Sequence, residues 1–179
     1  VDIVVENSRV RFVIRAGDES ASTIGGFAGG VIDAAAGDGV DQLKEIFTLF
    51  DFATGRPSEI LVTDAGDDEE ARVTVLFEGA PLGLVDAVAP GFSRALPIRG
   101  AIDYVLGGDS DALTIRISVS PAPGALGLAV RPGLLALLGG NGEIERPGVG
   151  PLVQGATSDS PVLVSEGSRE AIAVALDSE

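Results

Sequence analysis

The chain has no cysteine, histidine, methionine or tryptophan among its 179 residues. Without histidine or cysteine there is no Ser-His-Asp or Cys-His nucleophile pair, no thiolate or imidazole metal ligand and no disulfide. Basic residues are scarce, because 12 Lys and Arg stand against 27 Asp and Glu and leave a net charge of -15. Nucleic-acid binding needs a basic surface, and a membrane helix needs about 20 apolar residues, which no stretch approaches. We therefore expect neither a nucleic-acid partner nor membrane insertion.

The chain does contain many short segments in which apolar and polar residues alternate, which is the pattern of half-buried strands. Its 25 Gly and 10 Pro separate these segments rather than forming one linker. The predicted strands are residues 3–6, 9–15, 60–63, 72–77, 98–106, 113–119, 161–165 and 171–176. Short strands at such intervals predict an all-β fold, an antiparallel β-sandwich. We expect one domain over residues 1–179, excised from a longer chain.

One segment, residues 41–50, departs from the alternation. Its apolar side chains recur at the spacing of one helix face, and Asp41 suits a helix N-cap with Val40 packing before it. The pattern predicts one short helix on the sheet. The stripe consists of Leu43, Ile46, Phe47 and Phe50. Residues 134–138 form a second apolar run, too short to assign by its period, and residues 139–142 are typical of a turn.

A pair of double glycines surrounds Phe27 in residues 25–30. The spacing matches neither a dinucleotide-binding fingerprint nor a P-loop. Glycines permit positive φ angles and close backbone approach, so one interpretation is a tight crossing of strands near residues 31–33. The other is a loop that contacts a ligand, with Tyr104 as the one amphipathic ring. The candidate ligand-binding residues are Gly26, Phe27, Gly29, Asp33 and Tyr104.

Acidic residues cluster in residues 64–70 beside a glycine. Carboxylate oxygens are ligands for Ca²⁺, which makes Asp64, Asp67, Asp68 and Glu70 the candidate metal ligands. The spacing does not match an EF-hand loop. The alternative is a solvated hairpin turn whose charges deter edge pairing. We expect no other cofactor.

Arg9, Arg11 and Arg15 form a basic stripe on one strand. They could bind a carboxylate ligand, but the simpler interpretation is pairing with acids of the same chain on neighbouring strands. Glycoside hydrolysis by two carboxylates is open in principle. The acids near apolar segments are Asp33, Asp41, Glu45, Asp86 and Asp103, and no pair among them is singled out.

Several segments together resemble the opening of galactose-mutarotase-like "supersandwich" domains, as found in the N-terminal part of large exported bacterial proteins. The segments are residues 5–14, 25–33, 39–47, 146–150 and 164–167. The resemblance implies a supersandwich-like β-domain. Mutarotases use a histidine as acid and a carboxylate as base, and this chain has no histidine, so no catalytic residue is transferred.

The expected function is that of a non-catalytic module in a larger exported or cell-surface protein, serving binding, spacing or assembly. Its partners would be other domains of the same polypeptide or other protein subunits, in an extracellular, periplasmic or cell-surface location. The alternatives are a carbohydrate-binding module, with or without Ca²⁺, and a carbohydrate-active enzyme that uses two carboxylates. A chain with one Tyr, seven Phe and no Trp offers few rings for stacking on a sugar.

Overall fold

The computed structural model describes residues 1–22, 24, 26–36, 43–65, 70–125, 129–138, 143–146, 150–151, 162–166 and 170–174. The fold of this part is antiparallel, all-β and sandwich-like, which confirms the predicted class. The larger sheet contains β1 (Ile3–Glu6), β2 (Val10–Ile14), β3 (Val31–Ala36), β4 (Leu43–Phe50), β5 (Ala53–Ala65), β6 (Glu70–Pro81), β7 (Ile98–Gly107), β8 (Leu113–Pro121) and β9 (Pro132–Leu138). The smaller sheet contains β10 (Glu143–Arg146), β11 (Gly150–Pro151), β12 (Val162–Glu166) and β13 (Glu170–Val174).

The larger sheet runs from β1 to β8 in chain order, and β9 pairs with β4. The smaller sheet has the order β11-β10-β12-β13. All pairings are antiparallel, as expected for strands joined by short turns. Every predicted strand overlaps an observed one; the limits agree for β1, differ by one or two residues for β2, β7, β8, β12 and β13, and extend well beyond the prediction in β5 and β6. The run 134–138 belongs to β9, while the predicted turn at 139–142 lies outside the described residues.

The predicted helix at residues 41–50 is wrong, because residues 43–50 form β4. The strand pairs with β9 along its whole length, and its other edge meets β3 at Ile46 and β5 at Leu49 and Phe50. It is buried on both faces, so apolar residues occupy both and imitate a helical stripe. The proposed cap at Asp41 and the packing residue Val40 lie outside the described residues.

The short helix of the described chain lies elsewhere, at α1 (Gly83–Val88), between β6 and β7. None of its residues is buried and no side chain caps its first turn, which explains why it has no amphipathic signature in the sequence. None of the described segments forms an apolar helix of the length that crossing a membrane requires.

The larger sheet curves around one core. Phe50 of β4 stacks on Phe77 of β6 with ring centroids 5.0 Å apart, and both rings are buried with strand residues from β1, β2, β3 and β7. The residue after β1 also reaches the turn between β7 and β8, since the Asn7 side-chain amide donates to the carbonyls of Gly107 and Ser110 at 2.8 and 2.7 Å. The second contact fixes the β7–β8 turn against the end of β1.

The predicted tight crossing before β3 is confirmed. Gly26 and Gly29 have φ angles of 81° and 91°, which side chains with a Cβ rarely adopt. A Cβ on Gly30 would lie 2.6 Å from the Ile46 carbonyl oxygen. The backbone of β4 therefore passes directly over this segment, and only glycine fits there.

We expect Gly30→Ala to lower the free energy of unfolding by about 1–3 kcal/mol, because the added methyl group must displace the backbone of β4. Gly133→Ala in β9 is the matched control, since a Cβ there meets no atom within 4 Å. That control should change stability by about 1 kcal/mol or less. Urea unfolding followed by circular dichroism checks both variants, and equal stabilities would contradict the crossing.

Candidate functional site

The predicted ligand-binding residues lie in two different environments. Gly29 and Tyr104 meet in the core, where the Tyr104 hydroxyl donates to the Gly29 carbonyl at 2.7 Å. Gly26 lies against α1, since a Cβ on it would be 3.2 Å from the Gly83 Cα. Phe27 and Asp33 are partly exposed instead. The structure thus joins two of the five residues directly and gives that pair a structural role.

Glu45 lies beneath this segment and is completely buried. One carboxylate oxygen, Oε1, accepts from the Ala21 backbone N–H at 3.2 Å. The other, Oε2, accepts from the Ser20 hydroxyl at 2.9 Å, the Ser22 N–H at 3.0 Å and the Ser22 hydroxyl. A buried carboxylate is tolerated only when it is hydrogen-bonded in this way. Glu45 therefore anchors residues 20–22 to β4, and its partners lie on the segment that leads into the glycine crossing.

Tyr104 is a second buried polar side chain near Glu45. Its side chain is 2 % exposed, and a ring so placed presents no face to a sugar in solvent. Burial, and secondarily the negative charge of Glu45, raise the pKa of the Tyr104 phenol above its ordinary value of 10.0. The hydroxyl therefore stays protonated and donates to Gly29 over a wide pH range.

Phe27 and Asp33 each contact an arginine. The Arg56 guanidinium lies over the Phe27 ring, 4.7 Å from its centroid, in a cation–π contact. Asp33 accepts from Arg11 at 3.4 Å across β2 and β3. Arg15 likewise pairs with Asp2 at 3.2 Å. The prediction that the arginine stripe pairs with acids of the same chain is confirmed for Arg11 and Arg15.

The candidate Ca²⁺ ligands surround the hairpin between β5 and β6. Ala65, which ends β5, pairs with Ala71, so Asp64 is the last residue but one of β5 and Glu70 begins β6. Asp67 and Asp68 lie outside the described residues. Glu70 accepts from Arg72 at 2.6 Å. Across the described ranges, no three acidic side chains come together as a metal-holding group, and the Ca²⁺ role stays a prediction.

The outer face of β5–β8 contains a shallow, open depression with a cavity volume of about 430 Å³. Its lining includes small residues such as Ala101 and Ser118, together with Glu78 of β6 and Arg99 of β7, which are opposite each other in the strand register. None of its lining residues is among the buried polar side chains of the described chain.

Four exposed apolar side chains lie on the β4–β5 turn, on α1 and on the loop after α1, at the end of the larger sheet where Ala53 pairs with Pro81. We call Phe52, Leu84, Val88 and Phe92 the tip patch. Phe52 and Phe92 are each 66 % exposed and Val88 is 75 % exposed. The two rings contact edge to face, with centroids 5.9 Å apart. This arrangement places two of the seven phenylalanines in water, next to each other.

Buried hydrogen bonds hold the tip patch in place. Ser93 is buried, and its hydroxyl donates to the Phe52 carbonyl at 2.6 Å and accepts from the Leu82 N–H at 2.7 Å. Asp86 accepts from the Gly91 N–H at 3.3 Å and closes the turn after α1. The β4–β5 turn, α1 and the following loop therefore form one structural unit.

The sequence predictions did not include the tip patch. No turn was predicted at either ring. The available signal at Phe92 was the preceding Pro90 and Gly91, while the turn at Phe52 is recognised from the structure, where Asp51 has a φ of 54°. An aromatic residue at a turn has no neighbouring strand to cover it. Glu45 was noted only as an acid near apolar residues, because its partners are 23 to 25 positions away.

Comparisons of the chain with protein-family models, with curated proteins and with solved structures returned no match. The resemblance to mutarotase-like domains therefore stays a prediction.

We expect Glu45→Gln to lower the free energy of unfolding by about 1.5–3 kcal/mol. Each carboxylate oxygen accepts a hydrogen bond from a backbone N–H. In either orientation of the glutamine side chain, its NH₂ group would therefore face a backbone donor and lose that hydrogen bond. Lys44→Gln is the control on the neighbouring, exposed position and should have little effect. Equal loss in both variants during urea unfolding would show that the hydrogen bonds to Glu45 contribute nothing.

Tyr104 should make the protein less stable at high pH. Above pH 10, the ordinary pKa, the unfolded chain releases the phenolic proton while the folded chain retains it. The unfolded state then binds fewer protons, so the unfolding equilibrium constant rises by up to about tenfold per pH unit. Below pH 10 the group contributes no such slope.

Tyr104→Phe isolates this contribution, because it should remove that part of the slope at alkaline pH. It should also cost about 1 kcal/mol at neutral pH through the lost bond to Gly29. The single Tyr in a chain without Trp gives an unobstructed tyrosinate absorbance. If the Tyr104 phenol of the folded protein ionised near pH 10 with an ordinary titration curve, the burial of Tyr104 would be contradicted.

Proposed function

We propose that this chain is a non-catalytic β-sandwich module of a larger exported or cell-surface protein, and that it binds a neighbouring protein domain or subunit through the tip patch. The observation that carries the proposal is the exposure of Phe52, Leu84, Val88 and Phe92 at one end of a scaffold whose other large side chains are mostly buried. Aromatic anchors with an apolar centre are typical of protein interfaces.

The rigidity of the tip patch supports binding. Ser93 holds the Phe52 turn against the start of α1 through two short hydrogen bonds, so the rings lose little conformational freedom when a partner covers them. Preorganisation of this kind lowers the entropic cost of association. Function on loops that a rigid sheet positions is also a common arrangement in β-sandwiches.

The charges around the tip patch favour a protein partner. Asp51 and Arg94 are exposed beside the phenylalanines, and Asp86 is half-buried in α1. Both signs are therefore present at the rim, although the chain as a whole carries -15. A mixed polar rim around an apolar centre matches the organisation of a protein–protein interface.

The test compares radical footprinting of the isolated chain with that of the parent protein as the cell makes it. We expect labelling of Phe52 and Phe92 to fall several-fold in the parent protein, because a neighbouring domain covers them. Val62 on β5, which is 57 % exposed, is the control and should be labelled equally in both. Equal labelling of the rings would contradict the proposal.

A glycan panel distinguishes the carbohydrate-binding alternative. The isolated chain and its Phe52→Ser variant are tested in parallel. We expect no binding by either protein. Binding by the original chain that the variant loses would overturn the proposal in favour of a sugar-binding tip.

A further inference from the structure

Strand β8 lies at one end of the strand order of the larger sheet, as far as the described residues show. Within the described residues it pairs with β7 alone, over nine consecutive positions from Leu113 to Pro121 and without a register shift. At the opposite end of the strand order, β1 has four residues and its neighbour β2 has an irregularity at Val13 and Ile14. Proteins usually protect edges by shortening, charging or bulging them. β8 is long and regular, and its one charged residue is Arg116.

The hydrogen-bonding groups on the open side of β8 follow from its register. The Ala122 N–H donates to the Pro97 carbonyl at 2.7 Å, which continues the pairing of β7 and β8. Because hydrogen-bonded and non-hydrogen-bonded pairs alternate in an antiparallel ladder, the even-numbered residues of β8 direct their backbone groups at β7. The odd-numbered residues, from Leu113 to Val119, direct theirs outward.

The side chains of the odd-numbered residues lie on the core side of the sheet. Leu113, Ile115 and Ile117 are half-buried against the core, while Val119 is 37 % exposed. The even-numbered residues are Thr114, Arg116, Ser118 and Ser120, all exposed on the outer face. A partner strand would extend the core side with apolar residues and the outer face with polar ones.

We propose that β8 pairs with β8 of a second copy of this chain, antiparallel and centred on Ile117. This register aligns all nine residues of the strand, since Leu113 faces Pro121 and Ile115 faces Val119. It keeps apolar residues opposite apolar ones, and it sets Arg116 opposite Ser118 of the other copy. A centre on Arg116 would instead oppose two arginines, which is unfavourable.

Charge supports a second copy as the occupant. The chain carries 27 acidic residues, and residues 113–121 contain none. Two such strands can approach without the repulsion that most of the acidic surface would cause. The proposal depends on β8 and not on the tip patch, so its failure leaves the proposed function untouched.

Cysteine pairs test the register. The chain has no cysteine of its own, so any disulfide reports on the introduced residues. Positions 116 and 118 of opposite copies would form a non-hydrogen-bonded pair with Cα atoms about 4.5 Å apart, inside the range for a disulfide. Two residues at position 116 would be offset by about 7 Å along the strands, which is too far.

We expect a mixture of Arg116→Cys and Ser118→Cys chains to form a disulfide dimer under mild oxidation, faster than either variant alone. Both side chains are exposed, so folding should be unaffected, and circular dichroism controls for this. Fastest cross-linking of Arg116→Cys with itself would overturn the register. No enrichment of the mixed dimer would overturn the pairing.

Charge variants test the pairing without cysteine, by sedimentation over a range of concentrations. Ser118→Glu should tighten the dimer about threefold to tenfold, because it sets a carboxylate opposite Arg116 in two symmetric places. Ser118→Lys should weaken it by a similar factor, and Arg116→Glu combined with Ser118→Lys should restore it. A chain that stays monomeric up to its solubility limit, or variants that associate equally, would contradict the proposal.

Discussion

The hydrogen-bonded carboxylate of Glu45 is the interaction on which much of this structure depends. β4 is surrounded by strands on both edges and by core on both faces, so a charge within it must be satisfied by the protein itself. Residues 20–22 supply the donors and are thereby held against β4. The chain then enters β3 at a position where Gly30 passes under the Ile46 carbonyl and Gly29 meets the Tyr104 hydroxyl.

This buried polar layer bears on which surfaces are left for the proposed binding. Glu45 and Tyr104 carry groups that could act chemically, but both are buried in the core and make structural hydrogen bonds there. Among the described residues, the tip patch is exposed and β8 pairs with β7 alone. Surfaces of those two kinds recognise other polypeptides, one by covering apolar area and the other by extending a sheet.

The two surfaces differ in the partner that they fit. The tip patch combines exposed rings with charges of both signs and suits a neighbouring domain of different structure. The β8 edge has a sequence that is complementary to itself, with Arg116 and Ser118 on either side of its centre. A module with both features could join a larger protein at its tip and a second copy at its side. Neither surface requires the acidic loop at residues 64–70.

The sequence alone determined eight of the thirteen described strands and the classes of chemistry that are excluded. Alternation with a period of two is a local property, so β1, β7 and β8 were predictable from their own residues. The absence of histidine and cysteine is likewise independent of folding. Only the tertiary structure decided that residues 43–50 form a strand, that Glu45 and Tyr104 are buried, and that Phe52 meets Phe92. Each of these depends on what packs against the residue from distant parts of the chain, and no local pattern contains that information.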